Sequence, residues 1–257
     1  MIQSKLPNVG TTIFTRMSAL AAECEALNLS QGFPDFDAPE ALREALTRHV
    51  MAGHNQYAPM AGVLRLREQI SAQLLLHRQV NCDPESEITV VPGATQGIFC
   101  AVMACVRPGD EAILFDPCYD SYQPSVELAG GKAIRVPLVP GQFSLDRERL
   151  EAALSPRSRL IMINSPHNPT GSTLSRDDLA YLEALVEKHE LLVISDEVYE
   201  HLVFDGGEHH SVLQFPALRA RSFVLFSFGK TFSVTGWKTG YCVAPGPLMR
   251  EFRKVHQ

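Results

Sequence analysis

Two lysines near the end of the chain lie in a segment whose residue types suit covalent chemistry. Lys230 and Lys238 belong to residues 227–240, a stretch rich in Ser, Gly and Thr. A lysine held at a strand end among such residues can form a Schiff base with an aldehyde, and a second lysine can neutralise a phosphate. The pair therefore favours an aldehyde cofactor that carries a phosphate, although both could also be solvated loop lysines.

The turn formed by Gly93, Ala94 and Thr95 is a candidate anion site between a predicted strand and a predicted helix. Glycine permits a tight turn there, and a helix N-terminus offers unpaired N–H groups to an anion. The segment matches neither the Walker loop nor the dinucleotide pattern G-x-G-x-x-G. An ordinary strand-to-helix turn with a threonine cap is the alternative.

Four polar or aromatic side chains stand at other predicted strand ends. Asp196 closes the apolar run 191–195, where an acid can receive a cationic ring nitrogen. Tyr199 reaches the same side if the chain turns helically there. Asn168 lies in a rigid proline-containing turn, and Tyr119 can stack on a flat ring. A surface turn, a structural loop or core packing is the alternative for each of them.

The elements that must position these residues follow from a regular alternation in the second part of the chain. Short apolar runs predict strands at 88–91, 112–115, 132–136, 160–164, 191–195, 223–227 and 241–244. Helical segments are predicted at 95–106, 121–129, 147–153 and 175–189. Doubly apolar strands that alternate with helices indicate a mainly parallel sheet covered on both faces. We therefore predict an α/β fold, a three-layer α/β/α sandwich, with ligands beyond the carboxyl ends of the strands.

The first part of the chain, up to about residue 59, is rich in loop residues. One helix is predicted within it, near 39–51. Another follows at about 63–78, where apolar residues recur at helical spacing, and a last helix is predicted after the final strand.

Charge and cysteine usage argue against several classes of function. The 257 residues include 29 acidic and 23 basic ones, a net charge of -6, which disfavours nucleic acid or an anionic membrane as the main partner. The six cysteines form no C-x-x-C pair and the nine histidines show no ligand spacing, so no metal site is predicted. His167 is interpreted as a loop histidine. No signal peptide or membrane span is recognised, and a soluble cytoplasmic protein is expected.

Seven segments in order along nearly the whole chain carry a family resemblance. They are 28–36 (NLSQGFPDF), 55–59 (NQYAP), 92–95 (PGAT), 116–122 (DPCYDSY), 164–171 (NSPHNPTG), 195–199 (SDEVY) and 227–241 (SFGKTFSVTGWKTGY). Together they resemble the fold type I aminotransferases of class I/II, which depend on pyridoxal 5'-phosphate (PLP). The likeness is greatest to the methionine/glutamine and kynurenine aminotransferase branch, which also contains cysteine-S-conjugate β-lyases.

The resemblance implies a role for each residue near the cofactor ring. Lys230 would form the Schiff base and then move a proton between substrate and cofactor. Asp196 would keep the pyridine nitrogen protonated. Tyr199 and Asn168 would hydrogen-bond the ring oxygen, and Tyr119 would stack on the ring.

The resemblance also implies a phosphate site, a substrate contact and a second subunit. The residues implied at the phosphate are Gly93, Ala94, Thr95, Ser227 and Lys238. Tyr57 would reach the phosphate bound in a neighbouring subunit, so a homodimer is expected. Gly32 and Asn168 would contact the α-carboxylate of the substrate.

The domain organisation implied by the resemblance is an N-terminal arm at residues 1–40 and a PLP-binding large domain at 41–257. The family also has a small C-terminal domain with an arginine that binds the substrate carboxylate in a bidentate manner. This sequence ends within a predicted helix, so we expect that small domain to be missing from it.

The implied function is transfer of an amino group from an amino acid of methionine, glutamine or aromatic type to a 2-oxo acid. Two alternatives stay open at this point. The same PLP site suits β-elimination on cysteine conjugates, and a chain without the small domain could be a non-catalytic PLP-binding fragment.

Overall fold

The structure is a computed structural model that describes residues 2–32 and 34–257. Phe33, part of the predicted 28–36 segment, lies outside the described residues. Contacts within the chain divide it into two compact units, one that ends at His54 and one formed by Asn55–Gln257. The domain boundary expected at residue 40 stays a prediction.

The described part of the first unit contains helices α1 (Ile13–Glu23) and α2 (Glu40–Met51). The prediction of a single helix in this region was wrong, because it did not include α1. The side-chain oxygen of Thr12 caps α1 by accepting a 3.3 Å hydrogen bond from the Thr15 N–H. A hydroxyl residue followed by apolar residues at helical spacing was the available signal.

Seven strands in the described residues of the second unit form one sheet. They are β1 (Ile88–Val91), β2 (Glu111–Asp116), β3 (Lys132–Pro137), β4 (Ser158–Asn164), β5 (Leu192–Asp196), β6 (Ser222–Ser227) and β7 (Gly240–Val243). Their order across the sheet is β1-β7-β6-β5-β4-β2-β3. Strand β7 is antiparallel to both of its neighbours, and the other pairings are parallel. The prediction of a mainly parallel sheet is confirmed.

Helices cover both faces of this sheet. They are α3 (Leu64–Arg78), α4 (Ala94–Cys105), α5 (Tyr122–Leu128), α6 (Arg147–Ala153), α7 (Arg176–Lys188), α8 (Pro216–Arg219), α9 (Phe228–Thr231) and α10 (Gly246–His256). Buried side chains of α4, α5 and α10 pack on one face, and those of α3, α6, α7 and α8 pack on the other. The predicted three-layer sandwich is therefore confirmed. In the part of the chain that the structure describes, none of the helices has the length and apolar character needed to cross a membrane.

Successive residues of the central strands alternate between two hydrophobic cores. Along β6, Phe223 and Leu225 belong to one buried cluster, whereas Val224 and Phe226 belong to the other. Because both faces are apolar, such a strand appears in the sequence as a continuous hydrophobic run. This is why the sequence located the strands well and their end residues less well.

Strand β7 brings the lysine-containing segment to the carboxyl edge of the sheet. It begins at Gly240, which pairs with Ser227 at the end of β6 and with Val91 at the end of β1. Lys238, just before β7, therefore lies at the same edge as the residues that follow β1 and β6. A Cβ atom on Gly240 would lie 2.4 Å from the carbonyl oxygen of Phe226, so this close strand contact needs glycine.

Candidate active site

Asp196 ends β5, and its side chain is buried at the carboxyl edge of the sheet. The Tyr122 hydroxyl, from the first turn of α5, donates a 2.6 Å hydrogen bond to Oδ2. The Val198 N–H donates to Oδ1 at 3.3 Å. Burial raises the pKa of Asp196 to about 6, although both hydrogen bonds favour the ionised form. Tyr122 was not among the predicted site residues, although it follows the predicted Tyr119 by three residues.

Asn164 is a second site residue that the sequence analysis did not single out. From the end of β4, its Nδ2 donates a 2.9 Å hydrogen bond to the main-chain oxygen of Asp196. Its Oδ1 accepts a 2.7 Å hydrogen bond from the Asn168 N–H. One side chain thus ties the proline-containing turn to the end of β5. The turn brings the Asn168 side chain near Tyr199, where it opposes the rise that burial causes in the pKa of the Tyr199 hydroxyl.

Lys230 lies in α9, the single helical turn that follows β6. The Ser227 side chain caps this turn by accepting a 3.4 Å hydrogen bond from the Lys230 N–H. The Nζ atom lies 5.3 Å from the centre of the Tyr199 ring. Although the residue keeps contact with solvent, partial burial lowers the pKa of its ammonium, and the charge of Asp196 opposes that shift. A lysine with a lowered pKa is a stronger nucleophile at neutral pH than an ordinary surface lysine.

Tyr119 connects the carboxylate region with the start of α4. Burial raises the pKa of its hydroxyl, and the nearby Thr95 side chain opposes that rise. Its ring meets the Tyr122 ring edge to face, with centroids 5.8 Å apart. Tyr119 therefore lies between the buried Asp196 carboxylate and the start of α4, two parts of the site that were predicted from separate motifs.

The N-terminus of α4 begins at the same edge, directly after β1. Its N-cap, Gly93, has a φ of +82°, a left-handed conformation that favours glycine. No side chain among the described residues caps this helix start, so its first amides remain available to an anion. Lys238 adjoins the turn, since a Cβ atom on Gly93 would lie 3.9 Å from Cδ of Lys238. The helix start and the ammonium together suit a phosphate.

The described contacts do not place two of the predicted site residues at the sheet edge that carries Asp196 and Lys230. The side chain of Tyr57 is fully exposed to solvent, and its contact with a neighbouring subunit stays a prediction. Gly32 belongs to the unit that ends at His54, and its contact with the substrate also stays a prediction.

His167 serves the loop after β4. Its Nε2 donates a 3.0 Å hydrogen bond to the carbonyl oxygen of Pro117, and its Nδ1 lies 2.7 Å from Oγ1 of Thr170. Burial lowers its pKa, which favours the neutral ring. These contacts agree with its interpretation as a loop histidine. Within the described ranges, no group of three or more His, Cys, Asp or Glu side chains could hold a metal ion.

The fold and the site define a class of protein, an α/β protein with a lysine, a buried carboxylate and an open helix start at one edge of its sheet. Comparison with known families then gives the particular family. The family "Aminotransferase class I and II" matches residues 25–257. The chain belongs to this family, and the resemblance found in the sequence is confirmed.

Individual relatives agree with this assignment. The chain is 52% identical over 255 residues to the methionine aminotransferase of Escherichia coli (strain K12), which covers 99% of this chain and 66% of that protein. It is 44% identical over 259 residues to a probable N-succinyldiaminopimelate aminotransferase of Mycobacterium tuberculosis (strain CDC 1551 / Oshkosh), covering 100% and 65%. A crystal structure of an Escherichia coli protein identified as a methionine aminotransferase matches with a TM-score of 0.96 at 51% identity, covering 100% and 67%. The chain thus spans just under two thirds of the length of these curated relatives.

Proposed function

We propose that this protein binds PLP and moves an amino group from an amino acid to a 2-oxo acid. The observation that carries the proposal is the meeting of three groups at one sheet edge. These groups are the Lys230 amine, the buried Asp196 carboxylate and the open start of α4 beside Lys238. Membership of the class I and II aminotransferase family supports it.

The chemistry of the donor set fits PLP. The cofactor carries an anionic phosphate, an anionic ring oxygen and a ring nitrogen that is cationic when protonated. The start of α4 and Lys238 suit the phosphate, and the buried Asp196 suits the ring nitrogen. The neighbouring polar side chains of Tyr199 and Asn168 suit the ring oxygen, and Tyr119 offers a flat face. Charge-assisted hydrogen bonds of this kind are each worth about 1.5–3 kcal/mol.

When bound, PLP supplies an electron sink for the charge that develops at Cα of an amino acid. We assign to Asp196 the task of holding a proton on the ring nitrogen, which a buried carboxylate does more strongly than an exposed one. We assign to Nζ of Lys230 the covalent attachment and the proton taken from Cα. Its lowered pKa keeps more of the amine neutral for both tasks.

The substrate class and the assembly are part of the proposal. Because the Escherichia coli relative is named a methionine aminotransferase, we propose a donor amino acid of methionine, glutamine or aromatic type. Gly32 and Asn168 are assigned to its α-carboxylate. A homodimer, with Tyr57 at the phosphate of the neighbouring subunit, and a cytoplasmic location complete the proposal.

Absorbance spectra of the purified protein with PLP, before and after methionine is added, test this proposal. We expect a visible band from the bound cofactor that changes when methionine is added. Lys230→Ala should abolish the band, whereas Lys254→Ala, which alters an exposed lysine paired with Glu251, should keep it. A visible band that persists in Lys230→Ala would show that the assigned lysine is wrong.

Product analysis separates amino transfer from its alternatives. Amino transfer requires a 2-oxo acid acceptor and converts methionine to its own 2-oxo acid. β-Elimination on a cysteine conjugate releases pyruvate and a thiol without an acceptor. Bound PLP whose spectrum responds to no amino acid would favour a non-catalytic PLP-binding protein.

A further inference from the structure

A second carboxylate lies directly beside Asp196 and has its own buried partner. Glu197 is 1% exposed, and its Oε2 lies 3.0 Å from Nε2 of His209, whose side chain is 4% exposed. Its Oε1 accepts hydrogen bonds from Oγ of Ser195 at 3.0 Å and from the Val212 N–H at 3.1 Å. Three donors therefore hold one carboxylate that the proposed reaction does not use.

The hydrogen bond between Glu197 and His209 closes a loop that contains Tyr199. The loop runs from residue 198 to residue 208, between β5 and the short 3-10 turn Val212–Gln214. The side chains of Leu202 and Phe204 near its middle are exposed, at 50% and 75%. The loop tip thus lacks the buried apolar anchors that would hold the segment in place, and the fixed points of the loop lie at its base.

The base of the loop is held on both sides of Tyr199. On one side, the Glu197 N–H donates a 2.9 Å hydrogen bond to the Leu225 oxygen, and the Glu197 oxygen accepts one of 3.0 Å from the Glu200 N–H. On the other side, the Glu200 side chain forms a largely buried ion pair with Arg78 of α3. The position of the Tyr199 ring, above which Nζ of Lys230 lies, follows from these contacts.

The buried pair has the properties of a positioning contact. Burial opposes the charge of Glu197, but the contact with His209 and the charge of Arg78 together outweigh burial and lower the pKa of Glu197. Leaving a buried carboxylate without one of its hydrogen-bond donors is unfavourable, because the lost contact with water is then not compensated. The loop base therefore has one favoured arrangement as long as His209 reaches Glu197.

We propose that the buried Glu197–His209 hydrogen bond is a clasp that positions Tyr199 for contact with the ring oxygen of PLP. The clasp touches neither cofactor nor substrate and acts through the turn between Glu197 and Glu200. This inference rests on the proposed function, because it concerns the same cofactor site. His209 is a positioning residue and Tyr199 the residue that makes the contact.

Two amide substitutions that differ in reach test the clasp. The Gln side chain places its amide nitrogen near the position of Nε2, so His209→Gln should keep the hydrogen bond to Glu197. His209→Asn is one methylene shorter and should lose it. We expect His209→Asn to raise the dissociation constant of PLP about tenfold, because a displaced Tyr199 hydroxyl would lose its hydrogen bond to the ring oxygen. His209→Gln should restore most of the affinity, and His210→Asn is the matched control.

A double-variant comparison shows whether the effect passes through Tyr199. In a Tyr199→Phe background the hydroxyl is absent, so His209→Asn should change the PLP affinity less than about twofold. A tenfold loss that persists in this background would overturn the proposal, as would equal affinities for His209→Asn and His209→Gln.

Hydrogen exchange in the PLP-free protein keeps the clasp testable apart from the cofactor. His209→Asn should speed exchange of the amides in residues 197–212, including the Val212 N–H, while His209→Gln should not. If the unaltered protein fails to bind PLP, the proposed function is wrong, but this measurement still tests the clasp. Unchanged exchange in His209→Asn would overturn it.

Discussion

The Tyr122 hydroxyl lies 2.6 Å from Oδ2 of Asp196, and both side chains are buried. The two residues come from different layers of the fold, one from helix α5 and one from strand β5. A hydrogen bond donated to a carboxylate favours its ionised form, and only that form can pair with a protonated ring nitrogen. This contact therefore adjusts the group on which the proposed chemistry depends.

Tyr122→Phe removes the donor and keeps the aromatic packing. We expect PLP binding and amino transfer to fall about tenfold or more, because a hydrogen bond to a charged group is worth roughly 1.5–3 kcal/mol. Titration of the visible band and the rate of amino transfer measure these effects. Tyr181→Phe is the control, since it removes a hydroxyl that donates to Glu151 away from the site. The role of Tyr122 would be refuted if both variants behaved like the unaltered protein.

Asp196→Asn should stabilise the PLP-free protein near neutral pH. The folded pKa of about 6 lies above the ordinary value of 3.8, so ionising this buried carboxylate destabilises the folded state. The cost is fully present above the folded pKa and disappears as pH falls below the unfolded pKa. The shift corresponds to at most about 3 kcal/mol. Urea unfolding at both ends of this pH range measures it, and a gain that does not depend on pH would contradict the explanation.

In the protein with PLP bound, the same substitution should impair amino transfer. Asp196→Asn removes the charge that holds a proton on the ring nitrogen, so we expect some PLP to remain bound while amino transfer falls steeply. The cofactor spectrum and the turnover rate, measured on one preparation, separate binding from chemistry. Unchanged turnover would rule out the role assigned to this carboxylate.

Lys238→Ala should weaken PLP binding without removing the visible band at saturating PLP. The Lys238 side chain adjoins the Gly93 turn through its Cδ atom. Loss of its ammonium should raise the dissociation constant of PLP roughly tenfold through a missing charge-assisted contact with the phosphate. Inorganic phosphate should also compete less well in this variant. Lys132→Ala, at an exposed position at the start of β3, is the matched control. Equal dissociation constants for the two variants would remove Lys238 from the phosphate site.

Gly240→Ala should destabilise the sheet at the edge that carries the site. The added Cβ would lie 2.4 Å from the Phe226 oxygen, and overpacking of this kind costs about 1–3 kcal/mol. Gly236→Ala is the control, because the same addition meets no atom within 4 Å. Urea unfolding measures the free energy of unfolding of both variants, which we expect to be lower for Gly240→Ala. Equal values for the two variants would contradict this prediction.

Local patterns in the sequence predicted the sheet well because its strands are apolar on both faces. Each predicted strand lies on an observed one, and Asp196 proved to be the last residue of β5 instead of the first residue after it. Helix α1 was missed even though Thr12 caps it. A short amphipathic helix within a loop-rich region gives a weaker signal than a continuous hydrophobic run.

The sequence also predicted some residues of the candidate site and missed others. Residue types at strand ends, together with the ordered family segments, pointed to Lys230, Asp196 and Lys238. The contacts of Tyr122, Asn164 and Glu197 were not predicted, because each side chain pairs with a group from another element or from a distant part of the chain.

The sequence by itself determined which residues are candidates for the proposed chemistry and which edge of the sheet holds them, since hydrophobic periodicity and strand ends are local properties. Only the tertiary structure decided which of those residues touch and how their charges are compensated. Burial and hydrogen-bond partners depend on how elements far apart in the chain pack, and these two factors raise the pKa of Asp196 and lower that of Glu197. Asp196 and Glu197 are adjacent in the sequence and carry the same kind of acidic group, yet their pKa values shift in opposite directions.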